Sequence, residues 1–181
     1  MTLLGLGLLL WSGAHLFKRI APERRAMMGE AGKGLVAVAL VLSVVLMVVG
    51  YRGAEVIPLW SPPAFLRPVN NLLMLQAFYF FAASGLRTGI TRVIRHPQLT
   101  AVNLWAVAHL LVNGDLASMV LFGGMLVWAT LTILLLNQAE PKWVLPAPAP
   151  LRKEIIALAG TFVVVVIVMA VHNWLGVRPW G

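Results

Sequence analysis

Two histidines, His15 and His109, each lie inside a stretch that reads as membrane-spanning, and each follows a tryptophan by four residues: Trp11-Ser12-Gly13-Ala14-His15 and Trp105-Ala106-Val107-Ala108-His109. An ionisable side chain is costly in hydrocarbon, so its presence inside a span points to a functional site. A low-dielectric interior favours neutral imidazole, and neutral imidazole is the commonest metal ligand. Two such rings on different helices are the donor set that a haem iron takes.

Helical spacing places Ala106, Trp105 and Val102 on the face of His109, with Asn113 one turn on. The small Ala106 leaves room beside the ring for a flat cofactor. The alternative is a hydrogen bond from His109 to a neighbouring helix, as polar residues in membrane proteins make. His15 shares its face with Trp11, Ser12 and Leu8. Its alternative is a wetted position near the headgroups.

His96 opens a helix within Arg95-His96-Pro97-Gln98, where Pro97 suits the first helical position. It stands roughly 20 Å along the axis and roughly 140° around it from His109, so one haem cannot take both as ligands. His96 is expected either to meet a polar group such as a propionate or to order the loop at the helix start. His172, followed by Asn173 and Trp174, reads as part of an interfacial belt. Arg92 and Arg95, with Lys18 and Arg19, form a basic rim that suits propionate carboxylates. Asp115 is expected to cap a turn.

The elements that position these residues are apolar blocks. Of 181 residues, 60% are hydrophobic and 11% charged, with a net charge of +8. A soluble domain would carry about 25% charged residues. The basic residues sit in short connections between apolar blocks, which excludes a nucleic-acid patch. Cysteine is absent, which excludes disulfides, thiolate ligation and Cys-bound clusters. The N-terminal apolar run lacks a preceding charged region and reads as a retained helix, not a signal peptide.

A helix needs roughly 17–25 apolar residues to cross a bilayer. The chain predicts an all-α polytopic membrane bundle of about six transmembrane helices in a single domain over 1–181: Thr2–Arg19, Gly34–Tyr51, Val69–Leu86, Pro97–Asn113, Leu116–Leu136 and Ile155–Leu175. Asn113-Gly114-Asp115 is turn chemistry and predicts a tight antiparallel hairpin of the fourth and fifth helices. Pro58, Pro62, Pro63 and Pro68 predict an ordered, non-helical loop around Trp60 and Phe65, and Pro146 to Pro150 a stiff linker. Six spans place eleven Lys and Arg on one side and three on the other. The positive side is cytoplasmic, so both termini are expected outside. Depth sets a conflict: on ideal helices His15 and His109 differ by about 12 Å, and depth alone pairs His109 better with His172.

The block Arg95-His96-Pro97-Gln98-Leu99 through Asn103-Leu104-Trp105-Ala106-Val107-Ala108-His109 to Asn113-Gly114-Asp115-Leu116-Ala117-Ser118, with the early His15 and the loop Pro58-Leu59-Trp60-Ser61-Pro62-Pro63, closely resembles the NnrU family. The resemblance runs from the N-terminus to about Trp128. NnrU-like proteins are bacterial inner-membrane proteins associated with nitrite and nitric oxide metabolism in denitrifiers, and they are similar to 15-cis-zeta-carotene isomerase, a haem b enzyme with two axial histidines. The resemblance implies haem b with His15 and His109 as the iron ligands. Trp11, Trp105, His96 and Arg95 complete the expected cofactor surroundings. His96 matches the Arg-His-Pro position, which is not a ligand, and His172 has no counterpart. The resemblance therefore sets His15 above His172. Beyond Trp128, Ala129-Thr130-Leu131-Thr132 stands where many members carry a charged Asp-Arg segment.

What the resemblance implies for function is cis–trans isomerisation of an apolar polyene entering from the bilayer. Two alternatives stay open: a non-catalytic redox or nitric-oxide-responsive haem protein supporting denitrification, and a haem-free membrane assembly factor. A lipid methyltransferase also carries Arg-His-Pro near a membrane helix, but the acidic pair that should follow it is missing.

Overall fold

The computed structural model describes residues 1–179. Among them the helices are α1 (Thr2–Ile20), α2 (Pro22–Met27), α3 (Gly29–Arg52), α4 (Leu66–Leu86), α5 (Pro97–Val112), α6 (Leu116–Ala139) and α7 (Leu151–Trp174), with a 3-10 turn at Gly89–Arg92 between α4 and α5. No strand occurs among these residues, only an isolated bridge between Pro58 and Asp115. Helices α3, α4, α6 and α7 are long and apolar enough to cross a membrane. Helix α5 is apolar but has 16 residues, about 24 Å of rise. Helix α1 carries His15 and ends on Lys18, Arg19 and Ile20.

Burial runs opposite to that of a water-soluble protein. Buried positions are often small, such as Ala77, Ala83, Ala101, Ala106, Ala108 and Ala157, while Val38, Val41, Leu42, Phe162, Val166 and Ile167 are exposed. Small residues let helix backbones approach, and large aliphatic side chains are at home against lipid tails. The chain is an all-helical membrane protein.

Two compact units divide the chain: residues 1–61 with 114–128, and residues 62–113 with those from 129 onward. In the first, α1 packs along α3. Their contact rests on glycine. A Cβ on Gly50 would run into the backbone of Leu3 and Leu4, and one on Gly7 would meet Met47 Cγ at 2.7 Å. Leu4 and Ser43 are fully buried at this seam, and Ser43 Oγ donates to Leu40 O (2.7 Å), so its hydroxyl is satisfied within its own helix.

The proline-containing loop is non-helical over 55–63, as expected, but Pro68 lies in the first turn of α4, where a missing N–H costs no helical hydrogen bond. The loop backbone is pinned to the 113–115 turn: Leu59 N and Trp60 N donate to Gly114 O (2.7 and 3.1 Å), and Leu116 N donates to Ile57 O (2.9 Å). Gly114 lies against the Trp60 carbonyl so closely that a Cβ would overlap it. Asp115 caps α6, as its turn position suggested. Its Oδ1 accepts from Ser118 N (2.9 Å) and its Oδ2 from Ser118 Oγ (2.6 Å), and Tyr51 OH shares a hydrogen bond with Ser118 Oγ (2.8 Å). Losing such a cap typically costs about 1 kcal/mol. Asp115→Ala is therefore expected to lower the thermal midpoint of the detergent-solubilised protein, whereas Asp115→Asn, which keeps an acceptor, retains most of it.

The second unit is centred on Ala77, Phe80 and Ala101, with Tyr79, Ile90, Ile94, Leu104 and Trp105 packed around them. Helix α5 runs antiparallel to the final turns of α6. The contacts are ordered Arg95 with the Glu140 carbonyl, His96 with Asn137 and Thr130 with Asn103. Helix α4 stops at Arg87, which takes a left-handed conformation (φ 55°). Glu154 in the first turn of α7 then ties three elements together. It accepts from Tyr79 OH on α4 (3.0 Å) and from the Gly89 backbone N–H at the 3-10 turn. Removing a shared acceptor leaves its donors unmatched, an effect of about 1–3 kcal/mol. Glu154→Ala is expected to destabilise the protein by that order, measured by thermal unfolding, while Glu154→Gln is milder.

Candidate functional site

The first unit gathers three aromatic rings around His15. Four residues is slightly more than one helical turn, so Trp11 and His15 share a face of α1. Their ring centroids are 4.2 Å apart. Trp128, from α6, is buried and stands edge-on to both, at 4.9 Å from His15 and 5.4 Å from Trp11. His15 Nδ1 donates to the Trp11 carbonyl (3.0 Å). The Trp11 Nε1–H is buried and finds no hydrogen-bond partner among the described residues. A buried N–H without an acceptor is uncommon and calls for an explanation.

The second unit presents His109 in the same way. Its Nδ1 donates to the Trp105 carbonyl (2.8 Å), and the Trp105 ring lies 5.2 Å away, centroid to centroid. Asn113 Nδ2 donates to the His109 carbonyl and closes the helix end (2.8 Å). Ala106 and Ala108, just before the histidine on α5, are fully buried.

A carbonyl oxygen can only accept, so Nδ1 carries the hydrogen in His15 and in His109, and the ring lone pair lies on Nε2. Metal-bound histidines commonly have their other ring nitrogen fixed on a carbonyl or carboxylate in this way. His172 shares the arrangement, with Nδ1 donating to Val168 O (2.8 Å). His96 differs. Its Nε2 pairs with Asn137 Oδ1 (3.0 Å), which puts the hydrogen on Nε2. Arg95 beside it donates to the Glu140 carbonyl. His96 and Arg95 thus fasten the start of α5 to the end of α6. Pro97 is the first residue of α5, as its ring requires.

Among the described residues, no three His, Cys, Asp or Glu side chains converge as a metal cluster. Two imidazoles suffice as protein ligands for a porphyrin iron, whose other donors belong to the macrocycle. A family model described as NnrU protein matches residues 3–179. The chain belongs to the NnrU family. The match extends through α7 and so covers 129–179, beyond the stretch that carries the resemblance in the sequence. No curated protein and no solved structure matches this NnrU-family chain.

Several partners at these positions had no sequence counterpart. Trp128 lies over a hundred residues from Trp11 and looks like any apolar-helix aromatic. Asn137 is one polar residue at the end of an apolar run. Glu154 was legible only as an acid just before the last apolar block. Pairing between distant segments leaves no mark in local periodicity.

Proposed function

We propose that this NnrU-family protein binds haem b through His15 and His109 in a bacterial inner membrane, as a six-span protein with both termini periplasmic. The observation that carries the reading is the shared presentation of the two rings. Each is held by an Nδ1–H bond to the carbonyl four residues back, which leaves Nε2 as the donor nitrogen. The residues fit the group in further respects. Trp11, Trp128 and Trp105 supply flat apolar surface beside the histidines, and the Trp11 N–H lacks an acceptor that a polar edge of a cofactor could provide.

Haem would supply a redox-active iron, and His15 and His109 are the residues that would hold it. The chain's own contribution is orientation and exclusion. The carbonyl bonds fix each ring's tautomer and rotation, and the tryptophans keep water from the rings. Arg92 and Arg95 offer carboxylate partners. Arg95 spends a donor on Glu140 and retains others, since a guanidinium has five. His96 anchors α5 and is not a ligand in this reading.

The activity that the resemblance favours is cis–trans isomerisation of an apolar polyene. Exposed aliphatic surface on α3 and α7 suits a substrate that arrives through lipid. Conversion of a cis-carotene in cells expressing the chain tests this. A nitric-oxide-dependent spectral shift of the ferrous protein without isomerisation supports the non-catalytic alternative. One observation favours a second ligand pair: His172 has the same ring presentation as His109 within the same unit. Comparing haem retention in His15→Ala and His172→Ala separates the two pairs, since only the true partner's loss would remove the second imidazole.

A further inference from the structure

Helices α1 and α3 pack along each other and end together at a short basic connection that the haem reading does not use. Ile20 closes α1, Gly29 opens α3, and α2 lies between them. Residues 18–33 hold five basic side chains, Lys18, Arg19, Arg24, Arg25 and Lys33, against two acids, Glu23 and Glu30. Lys33 is paired with Glu30 (2.6 Å), and Arg25 donates to the Gly29 carbonyl (3.2 Å). Lys18, Arg19 and Arg24 are exposed, and among the described residues none of them forms an ion pair. Ile20 is 72% exposed and Met27 86%.

We propose that the segment Lys18 to Met27 is a docking surface for anionic phospholipid headgroups. The composition selects this occupant. Three unpaired cations match the phosphates of an anionic leaflet, each worth about fivefold in binding. A soluble polyanion would leave Ile20 and Met27 bare in water. An interface that puts phosphate at one level and acyl chain a few ångströms deeper satisfies both. The segment directly precedes α3, which begins at Gly29 and is long and apolar enough to cross a membrane, and this puts it at that level. The proposal rests on membrane insertion of the chain and is independent of haem.

The test reconstitutes the full chain in phosphatidylcholine and compares the association of spin-labelled phosphatidylglycerol with that of spin-labelled phosphatidylcholine. The expected result is a preference of about fivefold or more for the anionic lipid. That preference should shrink in high salt, collapse toward equality in Lys18→Gln/Arg19→Gln/Arg24→Gln and survive in Arg52→Gln, which lies elsewhere. The chain has no cysteine, so Met27→Cys gives a unique nitroxide site. That label is expected to relax with membrane-dissolved oxygen more than with an aqueous nickel chelate. Equal association of the two lipids, a preference that survives the triple substitution, a water-exposed nitroxide, or displacement by inorganic phosphate beyond its ionic-strength effect would each overturn the proposal.

Discussion

His109→Ala is expected to strip most of the haem from the purified protein, the largest effect of any single substitution in this account. The residue sits on an apolar helix with its Nδ1 fixed on the Trp105 carbonyl, so its removal deletes a donor already oriented for ligation. Outer partners of a bound histidine typically contribute 10–100-fold in metal affinity, and the ligand itself contributes more. His15→Ala should likewise abolish the spectrum of an iron held by two imidazoles. His96→Ala should keep it, because His96 faces Asn137. Exogenous imidazole should restore much of the His109→Ala spectrum, which a misfolded protein would not allow. Full haem stoichiometry in His109→Ala would remove this residue from the iron.

The largest structural effect is expected from Gly50→Val. At this position α3 touches the backbone of α1, and an added Cβ would overlap Leu3 and Leu4 main-chain atoms. Backbone cannot step aside as a flexible side chain can, so the helices must separate and forfeit the packing of Leu4 and Met47. Overpacking costs about 1–3 kcal/mol where side chains can adjust, and this site should reach or exceed the upper end. The check is thermal or denaturant unfolding in detergent. Gly5→Val, where a Cβ meets nothing, is the control. Equal stability of the two variants would mean that α1 and α3 do not meet this closely.

Much of the helical layout was legible. Each predicted span corresponds to a helix, and α5 begins at Pro97 and α6 at Leu116 as predicted. These starts have chemical markers, a proline that cannot extend a helix backward and an Asp that caps one. Helix α3 begins five residues before its apolar run, through Gly29, Glu30 and Lys33. Hydropathy marks where lipid begins, whereas a helix continues as long as its backbone bonds and side-chain pairs allow, here helped by the Glu30–Lys33 pair. Helix α2 went unforeseen for the same reason, since six residues, Pro22–Met27, with no apolar stripe give no periodic signal.

The candidate site was legible in its histidines and local tryptophans, because a residue four positions away on a helix is a neighbour by geometry. Trp128 against His15, and Asn137 against His96, were not. Those contacts depend on which helices pack and at what register. His172, read as an interfacial residue, also has its ring held by the carbonyl four residues back. The i to i−4 carbonyl bond depends on a side-chain rotamer that sequence spacing does not encode.

The most direct measurement is the optical spectrum of the full chain, purified gently from cells replete in iron and haem precursor, oxidised and reduced, with a pyridine haemochrome assay. The expected result is a red protein with stoichiometric haem b and the sharp reduced bands of an iron between two imidazoles. A well-folded but colourless protein from such cells would contradict it.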